Sequence, residues 1–204
     1  MATWRYSSST SSAAAKMTSS SGANEYSSDD SDDSSDSSSS SSLDLSHSDL
    51  IEFPPHDLLS VGLHSVNVSN NLIAVLPGHV SRLTSLVSLD ISNNRLKSVA
   101  DELCSLSHLR SLVARNNSLA NDSIPDEFGR MASLAVLNLS GNQLTALPVQ
   151  FTQLPRLQCL YLGANLISTV PPQVENMTKS VACSRLVRIQ IVNPLVHKVA
   201  KMVM

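Results

Sequence analysis

The stretch LAVLNLSGNQLTALP, residues 134–148, decides the architecture of this 204-residue chain. Its Leu137-Asn138-Leu139 segment alternates with period two and reads as a short strand. The two leucines point into a core and Asn138 points out. Asn142 follows where the chain must turn and leave buried backbone groups without partners. A side-chain amide supplies both a donor and an acceptor for such groups. Leu144 and Leu147 then fill the core from the far side, and Pro148 interrupts regular pairing.

Working outward, the same template recurs as LHSVNVSNNLIAVLP from Leu63, LVSLDISNNRLKSVA from Leu86, LRSLVARNNSLANDSIP from Leu109 and LQCLYLGANLISTVP from Leu157. Including the copy at Leu134, successive starts lie 23, 23, 25 and 23 residues apart. Self-similarity at such a period is the mark of a stacked repeat array. The fold class is therefore α/β: a leucine-rich-repeat solenoid with short parallel strands on its concave side. The stretches PGHVSRLTSL and PVQFTQLPRL place Val80 with Leu83 and Phe151 with Leu154, a spacing that suits 3₁₀ or helical turns on the convex side. Pro77, Pro125, Pro148 and Pro171 precede these turns. The longer copy holds its two extra residues in ANDSIP, which is expected to bulge outward without breaking the stack.

Asn71, Asn94, Asn117, Asn142 and Asn165 are expected to form a structural ladder, because an unpaired buried polar group costs about 1–3 kcal/mol. No repeat buries its apolar face alone, so the ends need caps. The partial copy LDLSHSDLIEFP at 43–54 keeps the frame, with Leu43 placed 23 residues before Val66. It has Ser48 where Asn is expected, and residues 43–62 read as a degenerate capping repeat with Phe53 and Leu58 covering the next layer. The five full repeats occupy 63–177.

The flanks differ in composition. Residues 27–42 contain eleven serines and five aspartates and nothing apolar. Burial there cannot offset roughly 1–2 kcal/mol per residue of backbone entropy, so residues 1–42 read as a disordered arm. Ser27 and Ser41, each with an aspartate three positions on, are candidate phosphorylation sites. A phosphate adds about -1.5 to -2 charges. The formal net charge of -3 divides into -6 over residues 1–50 and +3 over the remainder. Residues 178–204 form a basic and apolar tail with no assigned structure. It holds one near-copy, LVRIQIVNPL from Leu186, spaced 29 from Leu157. The alternating VRIQIV suits a closing edge strand, and left exposed it is an aggregation hazard.

Nothing in the chain reads as catalytic. The six histidines lack ligand spacing, the glycines form no phosphate loop, and the three cysteines make neither a disulfide framework nor a metal pattern. No cofactor and no metal are expected. There is no apolar leader and no run of the roughly 20 apolar residues that crosses a bilayer. The concave wall is the better candidate for function. Asn67, Asp90, Val113, Asn138 and Tyr161 form one outward column, and Ser69, Ser92, Arg115, Ser140 and Gly163 the next. Arg110 is expected to add a charge beside Arg115. Arg and Tyr favour binding hot spots, so Asn67, Asp90, Arg110, Arg115, Asn138 and Tyr161 are the candidate protein-binding residues.

The short copies ending in LP resemble the intracellular leucine-rich-repeat class that includes Ras-pathway scaffolds. LDISNNRL, LVARNNSL, LAVLNLSGNQLTALP and LYLGAN resemble stretches of the leucine-rich repeat-containing protein 58 family, over roughly Leu43 to Met177. That family carries further repeats and a cysteine-containing C-terminal region, and this sequence departs from it after Met177. The cysteine usage and the lack of an apolar leader favour the cytoplasm or nucleus, and a curved repeat surface suits an adaptor that recruits a protein client to a signalling complex or a ubiquitin ligase. A monomer is expected, with no nucleic-acid or membrane partner. The alternative expectation is a truncated or alternatively spliced product without independent function.

Overall fold

The computed structural model describes residues 16–18, 41–55, 57, 59, 62–174 and 188–190. Among these residues eight strands stand in one open sheet in chain order: β1 (Lys16–Thr18), β2 (Ser41–Asp44), β3 (Leu63–Asn67), β4 (Ser88–Asp90), β5 (Ser111–Val113), β6 (Val136–Asn138), β7 (Cys159–Tyr161) and β8 (Arg188–Gln190). From β2 onward every neighbour is parallel. The register follows the sequence frame: Val66 faces Leu89, then Leu112, Leu137 and Leu160. The ladder runs on past the strand ends, as in Val68 N–H to Asp90 O (2.9 Å) and Asn70 N–H to Ser92 O (2.9 Å).

The opposite wall consists of 3₁₀ turns at Gly78–Arg82, Asp101–Ser105, Asp126–Arg130 and Val149–Gln153. Three follow Pro77, Pro125 and Pro148, whose extended backbone ends the preceding segment. Each turn sends one side chain inward: Val80, Leu103, Phe128 and Phe151, all fully buried. The rings of Phe128 and Phe151 lie tilted with centroids 5.5 Å apart, an edge-to-face type of contact between successive repeats. These side chains join the strand leucines in one continuous core from Leu43 to Val174.

Two features differ from the sequence reading, and a third concerns the tail. First, the arm was expected to run unstructured through residue 42, but Ser41 and Ser42 belong to β2 and Lys16–Thr18 pairs with it antiparallel, Met17 opposite Leu43. A parallel sheet presents unpaired N–H and C=O groups at its first strand. Backbone alone satisfies them, so no apolar pattern is required. The rest of the expected disorder lies outside the described residues. Second, ANDSIP is folded into the stack. Asn121–Ser123 forms an additional 3₁₀ turn with Ser123 buried. Asn121 Oδ1 accepts from the Thr145 N–H (2.8 Å) and its Nδ2 donates to Ala146 O (2.8 Å), so the insertion grips the next repeat. Third, β8 joins β7 in the frame of the near-copy, Cys159 opposite Arg188, a step of 29 residues. At the front, Phe53 and Leu59 are buried, while Leu58 lies outside the described residues.

Candidate functional site

The turn after each strand is built by asparagine. Asn117 Oδ1 accepts from the Leu96 N–H of the preceding repeat (3.0 Å). Its Nδ2 lies within hydrogen-bond distance of the Ile91, Ala114 and Arg115 carbonyls (3.1, 3.2 and 3.3 Å). Asn94, Asn142 and Asn165 repeat the arrangement, accepting from Ile73, Leu119 and Leu144. Asn71 accepts from both Ser48 and Leu50. Ser48 takes the equivalent place in the front repeat, where its hydroxyl donates to Ser46 O (3.3 Å). These amides stitch repeat to repeat and are unavailable to a partner.

A second column escaped the sequence reading. His47, Asn70, Asn93, Asn116, Gly141 and Ala164, each just before the asparagine position, have φ between 52° and 70°. The left-handed region suits Gly and Asn and penalises other residues. The recurrence of Asn or Gly at four of the six places was the signal.

The outward face of the sheet has three columns. Ser65, Ser88, Ser111, Val136 and Cys159 form one that the sequence reading passed over; Asn67, Asp90, Val113, Asn138 and Tyr161 form the second. Ser69, Ser92, Arg115, Ser140 and Gly163 form the third. In the second column the polar members do local work. Asn67, Asp90 and Asn138 each use Oδ1 to accept from the backbone N–H two residues on, at 3.0, 2.9 and 3.1 Å. Asp44 does the same with Ser46 (2.9 Å). That backbone hydrogen bond holds the Asp44 carboxyl below its ordinary value of 3.8. One oxygen of each such side chain is therefore committed to the fold, and the Asn67 side chain also hydrogen-bonds the Asp44 carboxyl. Val113 and Tyr161 are the members with no such commitment.

Arg110 and Arg115 are both exposed, but they are not side by side. Five residues of extended chain at about 3.3 Å each put their Cα atoms roughly 16 Å apart, one at each end of β5. The sequence reading had grouped them by number, without the rise of a strand. Ser41 also reads differently. It is half-buried in β2 and its hydroxyl donates to Gly62 O (2.5 Å), so modification there removes a bond that holds the front repeat. Ser27 lies outside the described residues.

The remaining polar groups serve the frame. His79 Nε2 lies 2.9 Å from Pro54 O and its ring packs against Phe53. His108 Nδ1 lies 3.1 Å from Thr84 O. Burial, and then the charges of Asp101 and Glu127, push the Cys104 thiol up to about 11. It is an inert thiol at neutral pH. Among the described residues no group of three His, Cys, Asp or Glu is placed to hold a metal ion, and no helix is long and apolar enough to cross a membrane.

This geometry meets its counterpart among known proteins. A family model described as a leucine-rich repeat region matches residues 62–188. The chain belongs to the leucine-rich-repeat family. The match spans β3 to β7 and ends at the first residue of β8. Among solved structures, a leucine-rich-repeat protein of Leptospira interrogans is 32% identical with a TM-score of 0.61, covering 74% of this chain and 36% of its own. The Arabidopsis receptor kinase HAESA, solved with the peptide hormone IDA and a co-receptor, is 31% identical at TM-score 0.61, covering 78% of this chain and 26% of its own. An internalin of Listeria monocytogenes, 23% identical at TM-score 0.58 over 78% of this chain and 45% of its own, shares the fold alone. This leucine-rich-repeat chain thus spans about a third of the length of the first and about a quarter of the second. A search of curated proteins finds no match. Leucine-rich-repeat domains generally mediate protein–protein interaction, and their sheet wall is a broad rigid surface.

Proposed function

We propose that this chain is a non-catalytic adaptor that holds a protein client on the outward face of its sheet. The observation that carries the reading is that face itself. It is a rigid parallel sheet on which Val113, Arg115 and Tyr161 present side chains without a commitment to the fold, flanked by Asn67, Asp90, Asn138 and Arg110. The solved HAESA structure, in complex with a peptide hormone, supports assigning a protein ligand to this fold. The short repeats and the resemblance to the leucine-rich repeat-containing protein 58 family favour the cytoplasm or nucleus and a scaffold role in signalling or ubiquitin-ligase recruitment. Ser27 and Ser41 are proposed as phosphorylation sites in this setting, a monomer as the working state, and neither nucleic acid nor membrane as a partner. The test is cross-linked partner capture from cells expressing the tagged chain. Alanine at both Arg115 and Tyr161 should remove a specific subset of partners; an unchanged set would move the site elsewhere.

A second reading, a product without independent function, was founded on the tail. The parallel pairing of β8 with β7 favours the adaptor, because it gives the last repeat a neighbour. Light scattering on the purified chain separates the two: aggregation would favour the second reading.

A further inference from the structure

The outward face changes chemistry midway along the stack. On β3 and β4 it is tiled with Ser65, Asn67, Ser88 and Asp90, small and polar throughout. From β5 onward apolar side chains appear in adjoining places. Val136 stands directly beside Cys159 across the β6–β7 ladder. Tyr161 follows Cys159 two residues along the same face, and Val113 is the diagonal neighbour of Val136. Neighbouring strands are about 4.8 Å apart and alternate residues about 6.6 Å apart, so Val136, Cys159 and Tyr161 adjoin in one strip and Val113 lies a diagonal step of about 8 Å from Val136, opposite Asn138. All four are partly exposed.

Two arginines take positions beside the strip: Arg188, which the register sets opposite Cys159 at the β8 edge, and Arg115, which has no long neighbour in its own column. Arg115 occupies a column whose adjoining members are Ser92 and Ser140, followed by Gly163. Its guanidinium therefore rises from a shallow floor. Among the described residues neither Arg115 nor Arg110 forms an ion pair with a carboxylate. The fixed fork of a guanidinium matches a carboxylate in two parallel hydrogen bonds. An apolar strip with an unpaired arginine beside it is the complement of a segment carrying an apolar side chain and a carboxylate a few residues apart. The serine and aspartate run of this chain's own arm fits poorly, since it offers charge with nothing for the strip.

We infer that the strip of Val113, Val136, Cys159 and Tyr161, with Arg115 at its edge, is a docking site for an extended peptide segment of another protein that presents an apolar anchor and an Asp or Glu. This rests on the adaptor reading and specifies the chemistry of its client. The apolar anchor lies over Val136 and Cys159 against the Tyr161 ring, and its carboxylate meets Arg115. The β3–β4 half of the face contributes little to the contact.

The experiment is selection of a displayed random peptide library against the full chain, with three variants as parallel targets. Arg115→Glu reverses the charge, Val136→Lys interrupts the strip and Ser88→Arg blocks the polar half; Arg115 is exposed and the other two positions are partly exposed, and unchanged circular dichroism verifies folding. The expected result is an enriched motif pairing an aromatic or aliphatic residue with Asp or Glu. Arg115→Glu should exchange the acidic preference for Lys or Arg, and Val136→Lys should weaken the selected peptides at least tenfold. Ser88→Arg should change affinity less than twofold. Loss on Ser88→Arg alone would overturn the strip while leaving the sheet face as the site. Peptides indifferent to all three variants would overturn the adaptor reading's choice of face as well. Failure to enrich any motif would overturn the peptide segment as ligand and leave the face to the capture experiment on whole partners.

Discussion

Asn117 satisfies four backbone groups, yet they do not depend on it equally. Ile91 O also accepts from Asn94, Ala114 O from Asn142, and Arg115 O from the Asn93 N–H. Only the Leu96 N–H has no second partner. Asn117→Ala should therefore cost about 1–3 kcal/mol, the penalty for one orphaned donor, rather than four such penalties. Asn117→Asp should cost more at neutral pH, because a buried carboxylate faces three carbonyls with nothing to donate. Urea unfolding, read as the midpoint with the slope unchanged, checks both. The left-handed column gives an opposite pair of outcomes. A Cβ added at Gly141 would collide with the Asn116 side chain, and φ there is 70°. Ala164 already carries a Cβ at φ 53° and is exposed. Gly141→Ala should destabilise by about 1–2 kcal/mol, whereas Ala164→Gly should raise the melting temperature through relief of part of that penalty.

At the scale of the element, the front strand is where acid acts. The Asp44 carboxyl is held below its ordinary 3.8 by the Ser46 N–H. Its contribution is thus present above 3.8 and is lost as pH falls through the lowered value. Hydrogen exchange at Ser46 should accelerate relative to intrinsic exchange over that acid range, and Asp44→Asn, which keeps the accepting oxygen, should remove the pH dependence. The strand frame was legible in the sequence because each repeated leucine answers to one buried position and each asparagine to one turn. Strand β1 was not, since backbone pairing asks for no particular side chains and Lys16-Met17-Thr18 carries no periodic pattern. The division of labour within Asn67, Asp90 and Asn138 was half legible: alternation gave their outward direction, and only the turn geometry shows that one oxygen of each is spent inward. The apolar strip was missed in part because Val136 and Cys159 precede the column taken as the face.

For the whole molecule, neighbour-only contact makes every end a local affair. Removing residues 179–204 takes away β8 and leaves β7 as a bare edge. Exchange protection should fall in the Leu157–Pro171 repeat and persist in β3 to β5, with light scattering showing self-association through the uncovered edge. Loss of protection throughout would mean a single cooperative unit instead. The sheet's chain-order topology has a mechanical counterpart. Pulled by its two ends, a fold whose strands each pair only with the preceding and following repeat shears no long-range clasp. It should pay out like a coil, one turn at a time. With most strands offset by 23 residues, each event should lengthen the tether by about 80 Å less the size of the folded repeat, at about 3.5 Å per residue. The resulting force trace is a shallow sawtooth, and a client clamped across β5 to β7 should appear in it as one taller tooth.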